Sequence, residues 1–192
     1  EELKALLLAV LDGLGEIHDA GLVHLDIKPD NLMLRDWNPK TRRFDDVVIL
    51  DLGLAAAYGQ REGASPFLQA GTPGYMAPEQ SGTLQTAGPA TDLYALGVVA
   101  MVAWGGGRPT KYARPYAEEA ARLDGLSEAT RGSILKAVEW EAQGRWSSAA
   151  EWAALLRAPA VATSPAVATS PAEPPRQDPP PPAVVRPPPP PS

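Results

Sequence analysis

The sequence has 192 residues, of which 44% are hydrophobic and 21% are charged, and its net charge is −6. A chain of this size and composition forms one ordinary folded domain, alone or with a tail. The acidic balance argues against a nucleic-acid partner, which would require a basic face. No cysteine is present, so disulfides, thiolate nucleophiles and cysteine-bound zinc are excluded, and two histidines argue against a histidine-based metal site.

The first predicted element is an amphipathic helix. Apolar residues recur at helical spacing, acidic residues lie on the opposite face, and Gly21 ends the pattern. The apolar face consists of Leu3, Leu7, Val10 or Leu11, Leu14 and Ile17.

Three short apolar segments follow, each too short for a helix and suited to a small strand. They are Leu22–His24, Asn31–Leu34 and Val47–Leu50. The polar stretch 35–46 between the last two predicts a hairpin loop. Residues 51–79 are rich in Gly, Pro, Ser and Thr and show little periodicity, which predicts a long irregular segment of a kind that is uncommon unless it is functional.

After Pro89 the sequence becomes helical again. The apolar run Leu93–Trp104 is too short to span a bilayer and predicts a buried core helix. Ser127–Trp140 and Ser148–Arg157 are amphipathic, and the second begins with a predicted capping box between its first residue and Glu151. The tryptophans of this region are expected to be buried or half-buried: Trp104, Trp140, Trp146 and Trp152.

The composition changes at Pro159. From there to Ser192 the chain holds 14 of its 22 prolines, contains the hexapeptide AVATSP twice and has no aromatic residue. Such a segment cannot bury a core, which predicts a folded domain at 1–158 and a disordered, proline-rich tail at 159–192. The tail is either a semi-rigid linker or, because P-x-x-P recurs, a docking site for a domain that reads polyproline II.

Chemistry is concentrated in the stretch HLDIKPDN, from His24 to Asn31. Twenty residues beyond Asn31, Asp51 follows the apolar strand VVIL and precedes a glycine, where the backbone can turn and leave the carboxylate accessible. Asn31 and Asp51 supply the hard oxygen ligands that suit Mg²⁺. Asp26 can then orient an attacking hydroxyl and accept its proton, while Lys28 neutralises charge on a transferring phosphoryl group. Together these roles define a phosphoryl-transfer site.

Four blocks in this order resemble a protein kinase: HLDIKPDN, DLGLA, GTPGYMAPEQ and TDLYALGVV. The resemblance covers residues 1–158, and one short motif alone would be weak evidence, whereas four in register are specific. Lys28 and GTPGYMAPE resemble serine/threonine kinases, and the compact style resembles bacterial ones. The resemblance implies a mainly α fold, the α+β class of protein kinases, with a helical large lobe and short β-hairpins at the catalytic loop. It also implies ATP and Mg²⁺ as cofactors and Ser/Thr-bearing proteins as substrates.

The resemblance also assigns roles by position. Asp26 matches the catalytic base, and Lys28 matches the residue that contacts the γ-phosphate. Asn31 and Asp51 match the magnesium ligands. Thr72 matches the threonine that bonds near the catalytic aspartate and places the substrate hydroxyl.

Other matched positions are structural. Glu79 should form a buried ion pair, with Arg145 as its expected partner. Asp92 matches the residue of the central helix that bonds the backbone of the catalytic loop, and His24 is expected to be a scaffold element.

Two positions depart from the family pattern. Leu25 replaces the arginine that usually holds a phosphorylated activation loop, so control by loop phosphorylation is weakened. Leu52 replaces the usual phenylalanine and is expected to fill the same apolar slot.

The family's glycine-rich loop, its strand lysine and its glutamate-bearing helix do not occur in this sequence. The expectation is therefore a kinase fragment that lacks the small lobe, transfers little phosphate alone and exposes apolar surface. A non-catalytic, pseudokinase-like scaffold is the alternative, and a small-molecule phosphotransferase is disfavoured by Lys28 and the A-P-E block. A cytoplasmic location is expected, with no membrane contact within this chain and a tether only through sequence beyond Ser192.

Overall fold

A computed structural model of the chain describes residues 1–35, 46–52, 56–57, 71–81, 87–106 and 123–159. By its internal contacts the chain divides into a unit from Glu1 to Ala160 and a second from Val161 to Ser192. The second unit lies outside the described residues. The predicted tail, apart from Pro159, also lies outside them, so the tail and the domain boundary at residue 158 stay predictions.

Helix α1 spans Glu2–Asp19, and its apolar face forms one side of the core. Gly21 follows the helix with a φ of 75°, a left-handed conformation that favours glycine and ends the helix as predicted. Ile17 is partly buried and packs against the core, as its place on the apolar face predicts, and the neighbouring His18 is buried. The remaining predicted positions are confirmed as buried: Leu3, Leu7, Val10, Leu11 and Leu14.

Four short strands follow helix α1 and form two antiparallel pairs. Strand β1 (Leu22–Val23) pairs with β4 (Ala56–Ala57), and β2 (Leu32–Leu34) pairs with β3 (Val47–Ile49) with Leu32 opposite Ile49. Strands β1, β2 and β3 lie within the three predicted apolar segments. The antiparallel β2–β3 pair confirms the hairpin, although residues 36–45 of its loop lie outside the described residues.

The segment 51–79, predicted to be irregular, contains regular structure. Strand β4 lies within it, and a short 3₁₀-helix begins near its end, at Pro78–Ser81. A second short 3₁₀-helix, Pro29–Asn31, follows Lys28. Sequence periodicity missed all three because elements of two to four residues are too short to show a repeat.

Helix α2 spans Pro89–Gly105 and is buried on every side from Thr91 to Met101, as predicted for an apolar core helix. Its close packing requires Gly97, because a Cβ there would lie 2.8 Å from Val138 Cγ1 and 3.0 Å from Ala137 Cβ. Among the described residues, no helix combines the length and apolar character needed to cross a bilayer.

Helices α3 (Glu128–Ala137) and α4 (Ala149–Arg157) complete the core. Helix α3 ends three residues earlier than predicted. At the start of α4, Ser148 Oγ accepts a hydrogen bond from Glu151 N at 3.1 Å, which is half of the predicted capping box. The other half is wrong. The Glu151 carboxylate accepts hydrogen bonds from the N–H and hydroxyl of Ser147, at 2.8 and 2.7 Å.

The tryptophans divide into two groups. Trp146 and Trp152 are buried and stack with ring centroids 6.1 Å apart, as predicted for core residues. Trp104 and Trp140 are 40% and 41% exposed, which corrects the expectation that they would be buried or half-buried. Within the described residues, four α-helices and two small sheets make a mainly helical domain.

Candidate active site

The catalytic loop runs from His24 to Asn31, and a buried carboxylate of helix α2 holds its first turn. Asp92 Oδ2 accepts the His24 N–H and Oδ1 accepts the Leu25 N–H, both at 2.8 Å. The same Oδ2 lies 2.9 Å from Nε2 of His18. Leu25 adopts a φ of 71°, a conformation that leucine rarely takes. The backbone bond predicted for Asp92 is therefore present, and it holds a strained turn directly before Asp26.

His24 is fully buried and links the two halves of the site. Its Nδ1 accepts a hydrogen bond from the Asp26 N–H at 3.2 Å, and its Nε2 lies 2.9 Å from the Leu50 carbonyl oxygen. Because a backbone N–H can only donate, Nδ1 is the acceptor and Nε2 carries the proton that is donated to Leu50. The imidazole therefore acts as a scaffold between the catalytic loop and the strand that leads to Asp51.

Three side chains donate hydrogen bonds to the Asp26 carboxylate, of which the longest comes from Asn31 Nδ2 to Oδ2 at 3.3 Å. Lys28 Nζ donates to Asp26 Oδ2 at 2.7 Å, and Thr72 Oγ1 donates to Asp26 Oδ1 at 2.7 Å. Lys28 Nζ also donates to Thr72 Oγ1 at 2.8 Å. Asp26, Lys28 and Thr72, which we call the Asp26 triangle, join the catalytic loop to the segment 71–81. The sequence placed all three in one site, and the structure brings them within hydrogen-bond distance.

Electrostatics keep Asp26 ionised. Burial acts to raise its pKa, but the hydrogen bonds from Lys28 and Thr72 and the charge of Lys28 outweigh burial. The pKa of Asp26 therefore lies below its ordinary value of 3.8. At neutral pH the site presents a carboxylate, and not a carboxylic acid, to any bound molecule.

Asn31 and Asp51 are the predicted magnesium ligands. Asn31 Nδ2 donates to the Asp26 carbonyl oxygen at 2.8 Å, which leaves the amide oxygen Oδ1 as the acceptor. Leu50 N donates to Asn31 O at 2.8 Å, so the backbone that enters Asp51 lies beside Asn31. Asp51 is exposed and has a φ of 61°, a left-handed turn that Asp tolerates better than most residues.

This donor set fits Mg²⁺. It offers an amide oxygen and a carboxylate, the hard ligands that the ion takes when waters and phosphate oxygens complete its shell. In the described part of the chain, no group of three or more His, Asp or Glu side chains could hold a metal. Asn31 and Asp51 are the residues that would hold the ion, and waters and phosphate oxygens would complete its shell.

The ion pair predicted for Glu79 is confirmed. Arg145 Nη1 and Nη2 donate to the two carboxylate oxygens of Glu79 at 2.8 and 2.9 Å, a bidentate geometry. Arg145 also donates to the carbonyl oxygens of Glu139 and Trp140, and Thr91 Oγ1 donates to Glu79. The pair is largely buried, so removal of one partner should cost roughly 3–5 kcal/mol. It fixes the 3₁₀-helix at 78–81 to the helical core.

The two departures from the family pattern have different structural outcomes. Leu25 is buried, and its side chain packs with Val23 and Ala87. Leu52 was expected to fill an apolar slot, but it is 50% exposed. That expectation was wrong for the described residues. Met33 in strand β2 and Leu50, directly before Asp51, are exposed as well.

Sequence reasoning missed two residues of this site. His18 binds Asp92, and its signal was the polar side chain on the core-facing side of helix α1. Gln80 is buried and bonds the catalytic loop, but a single glutamine after the A-P-E block carries no pattern that distinguishes it from a surface residue.

Comparison with known proteins identifies the family of the chain. Residues 1–156 match the family described as Protein kinase domain. The chain is 30% identical over 151 residues to the serine/threonine-protein kinase AfsK of Streptomyces coelicolor, an alignment that covers 76% of the chain and 18% of AfsK. It is 32% identical over 151 residues to serine/threonine-protein kinase D of Synechocystis, covering 76% of the chain and 29% of that protein. The chain belongs to the protein kinase family.

Its similarity to bacterial kinases extends to the probable serine/threonine-protein kinase pknA2 of Bifidobacterium longum, with 40% identity over 90 residues, 47% of the chain and 11% of that protein. The chain spans less than a third of the length of each of these relatives. The similarity therefore identifies the domain.

The Asp26 triangle predicts a pKa response to the loss of Lys28. In Lys28→Met the pKa of Asp26 should rise, because burial continues to raise it while a main opposing partner is gone. Carboxyl NMR titration of this chain measures the change. Since the folded pKa is depressed, ionised Asp26 stabilises the wild type above pH about 4, and that stability is lost as the pH falls through the folded pKa.

The matched control is Lys136→Met, because Lys136 contacts Glu151 and the Trp146 ring and does not contact Asp26. This variant should leave the pKa of Asp26 unchanged. An Asp26 pKa that stays the same or falls in Lys28→Met would contradict the electrostatic role assigned to Lys28.

Proposed function

We propose that the protein is a serine/threonine protein kinase that transfers the γ-phosphate of ATP to Ser or Thr hydroxyls of proteins. The Asp26 triangle carries this proposal, because an ionised carboxylate, an ammonium and a hydroxyl hydrogen-bond one another at distances of 2.7 to 2.8 Å. The relatives named as serine/threonine-protein kinases support it. A scaffold would not require this arrangement, so the pseudokinase-like alternative is not favoured.

Asp26 orients the substrate hydroxyl. A carboxylate with a lowered pKa is a weak base, so it accepts a hydrogen bond from the hydroxyl and takes its proton late, once bond formation has made that proton acidic. Phosphoryl transfer through a loose transition state tolerates a late proton transfer, because it requires little charge on the nucleophile. Thr72 helps to place the hydroxyl by fixing Asp26 Oδ1.

Lys28 serves the transferring group. An ammonium has three N–H donors, and its bonds to Asp26 and Thr72 use two of them. The third can be donated to a γ-phosphate oxygen, where the charge stabilises the transition state. Lys28 would then contact both Asp26, which accepts the proton of the substrate hydroxyl, and the phosphoryl group, and would align the two.

Asn31 and Asp51 would hold Mg²⁺, which bridges phosphate oxygens and offsets their charge when it is bound. The hydrogen bond from Asn31 to the Asp26 backbone ties this ligand to the catalytic carboxylate. The exposed apolar side chain of Met33, two residues beyond Asn31, offers surface on which a purine base could pack. Proteins that bear Ser or Thr as substrates, a domain that reads polyproline II on the tail and a cytoplasmic location complete the proposal.

Asp26→Asn tests the catalytic assignment in the natural full-length protein. The amide keeps the size of the carboxylate but cannot accept the substrate proton, so the phosphate transfer rate to a generic basic protein should fall by roughly 10²–10⁴-fold. The control is Asp30→Asn, four residues further on, where the side chain is exposed. Unaltered transfer by a folded Asp26→Asn protein would refute the assignment of Asp26.

Asp51→Asn tests the metal assignment. Loss of the carboxylate should raise the Mg²⁺ concentration needed for half-maximal transfer by about tenfold or more. The affinity for ATP in the presence of Mg²⁺, measured by calorimetric titration, should fall in parallel. Asp46→Asn, at an exposed aspartate before strand β3, is the control and should leave both values unchanged. An unchanged Mg²⁺ requirement in Asp51→Asn would contradict the ligand set.

A further inference from the structure

Gln80 is a buried amide that joins two distant parts of the site. It is 1% exposed and lies in the 3₁₀-helix Pro78–Ser81. Its Nε2 donates to the carbonyl oxygen of Leu25 at 2.9 Å, across 55 positions of sequence, and its Oε1 accepts the Ala77 N–H at 2.8 Å. Both ends of the amide are therefore engaged with backbone groups, one in the catalytic loop and one in the segment 71–81.

The Leu25 carbonyl belongs to the peptide unit directly before Asp26. The other edge of this planar unit is the Asp26 N–H, which donates to His24 Nδ1 at 3.2 Å. Gln80 and His24 thus hold opposite edges of one peptide plane. Rotation of that plane would change the direction in which the Asp26 side chain leaves the backbone, so the two bonds set the orientation of the catalytic carboxylate.

Gly71 shows how closely the segment 71–81 packs on this bond. A Cβ at Gly71 would lie 2.8 Å from the Leu25 carbonyl oxygen and 2.9 Å from Gln80 Nε2, and its φ of 122° is one that other residues rarely adopt. The next residue is Thr72, which binds Asp26 Oδ1. The hydrogen bond between Gln80 and Leu25 is therefore in close contact with the backbone of Gly71, which directly precedes Thr72.

We propose that Gln80 is a positioning residue for phosphoryl transfer, which acts by fixing the Leu25–Asp26 peptide and so the aim of the Asp26 carboxylate between Lys28 and Thr72. Gln80 contacts neither the nucleotide nor the hydroxyl in this role. The inference rests on the proposed kinase function. The hydrogen bond from Gln80 joins the loop 24–31 to the segment 71–81 without a phosphorylated residue. It is made by the backbone of Leu25, which replaces the family's usual arginine.

Gln80→Glu in the natural full-length protein separates positioning from simple packing. The introduced carboxylate has the shape of the amide and can still accept the Ala77 N–H, but it cannot donate to the Leu25 carbonyl. At pH 8.5, kcat should fall by about 10- to 100-fold, while the KM for ATP should change by less than about threefold, because misalignment of a reacting group affects the transition state.

A return of activity at lower pH is the specific signature. Burial raises the pKa of the introduced carboxyl, because the side chain at position 80 is only 1% exposed. As the pH falls towards 6 the carboxyl is protonated and can donate to Leu25 again, so the kcat of the variant relative to wild type should rise. Asp26 stays ionised over this range because its pKa is lowered, and the ratio to wild type cancels other titrations.

Two control variants sharpen the test. Gln143→Glu makes the same chemical change at an exposed glutamine and should leave kcat unchanged at every pH. Gln80→Met keeps the approximate size of the side chain but has no group to protonate, so its loss of kcat should not recover at pH 6. Recovery in Gln80→Met, or its absence in Gln80→Glu, would overturn the positioning role.

Hydrogen exchange in this chain gives a readout that does not depend on activity. The Asp26 amide should exchange faster in Gln80→Glu than in Gln143→Glu at pH 8.5, after correction for intrinsic rates, and the difference should shrink at pH 6. If the wild type transfers no phosphate but this amide responds, the proposed function fails and the bond to Leu25 stands. If the wild type is active and the two variants agree in both kcat and exchange, the positioning role is refuted.

Discussion

The site depends on one buried carboxylate. Asp92 is 1% exposed and accepts hydrogen bonds from the N–H groups of His24 and Leu25 and a contact from His18. A buried carboxylate is costly unless its oxygens are satisfied, so these donors are required for the fold to hold it. In return, the carboxylate stabilises Leu25 in a left-handed conformation. The chain direction that this turn creates brings Asp26 to face Lys28 and Thr72.

Two segments converge on that turn from opposite sides. Helix α2 supplies Asp92 to the N–H of Leu25, and the segment 71–81 supplies Gln80 to its carbonyl oxygen. The second segment is itself fixed to the helical core by the bidentate pair of Glu79 and Arg145. The geometry around Asp26 is therefore held by hydrogen bonds between the loop backbone and buried side chains.

The sequence predicts most of the side chains of this site. Motif spacing indicates Asp26 and Lys28, and the resemblance to protein kinases adds Thr72, Asp92 and the pair of Glu79 with Arg145. Neither indicates Gln80, because a single amide shows no periodicity and its burial results from a contact 55 positions away. The same limit explains the β1–β4 pair, whose alanines carry little strand preference. It also explains why the exposure of Leu52 was not predicted, since an apolar residue type does not show which other residues will cover the side chain.

Hydrogen exchange at His24 and Leu25 tests the central role of Asp92 most directly. In the wild-type chain both amides should be protected to the level of the helix α2 core. In Asp92→Asn they should exchange roughly 10- to 100-fold faster while the amides of Val98 and Val99 keep their protection, because the variant loses a charged acceptor without losing the helix. If the two loop amides already exchange as fast as exposed amides in the wild type, or are unaffected in Asp92→Asn, then Asp92 does not hold the catalytic loop.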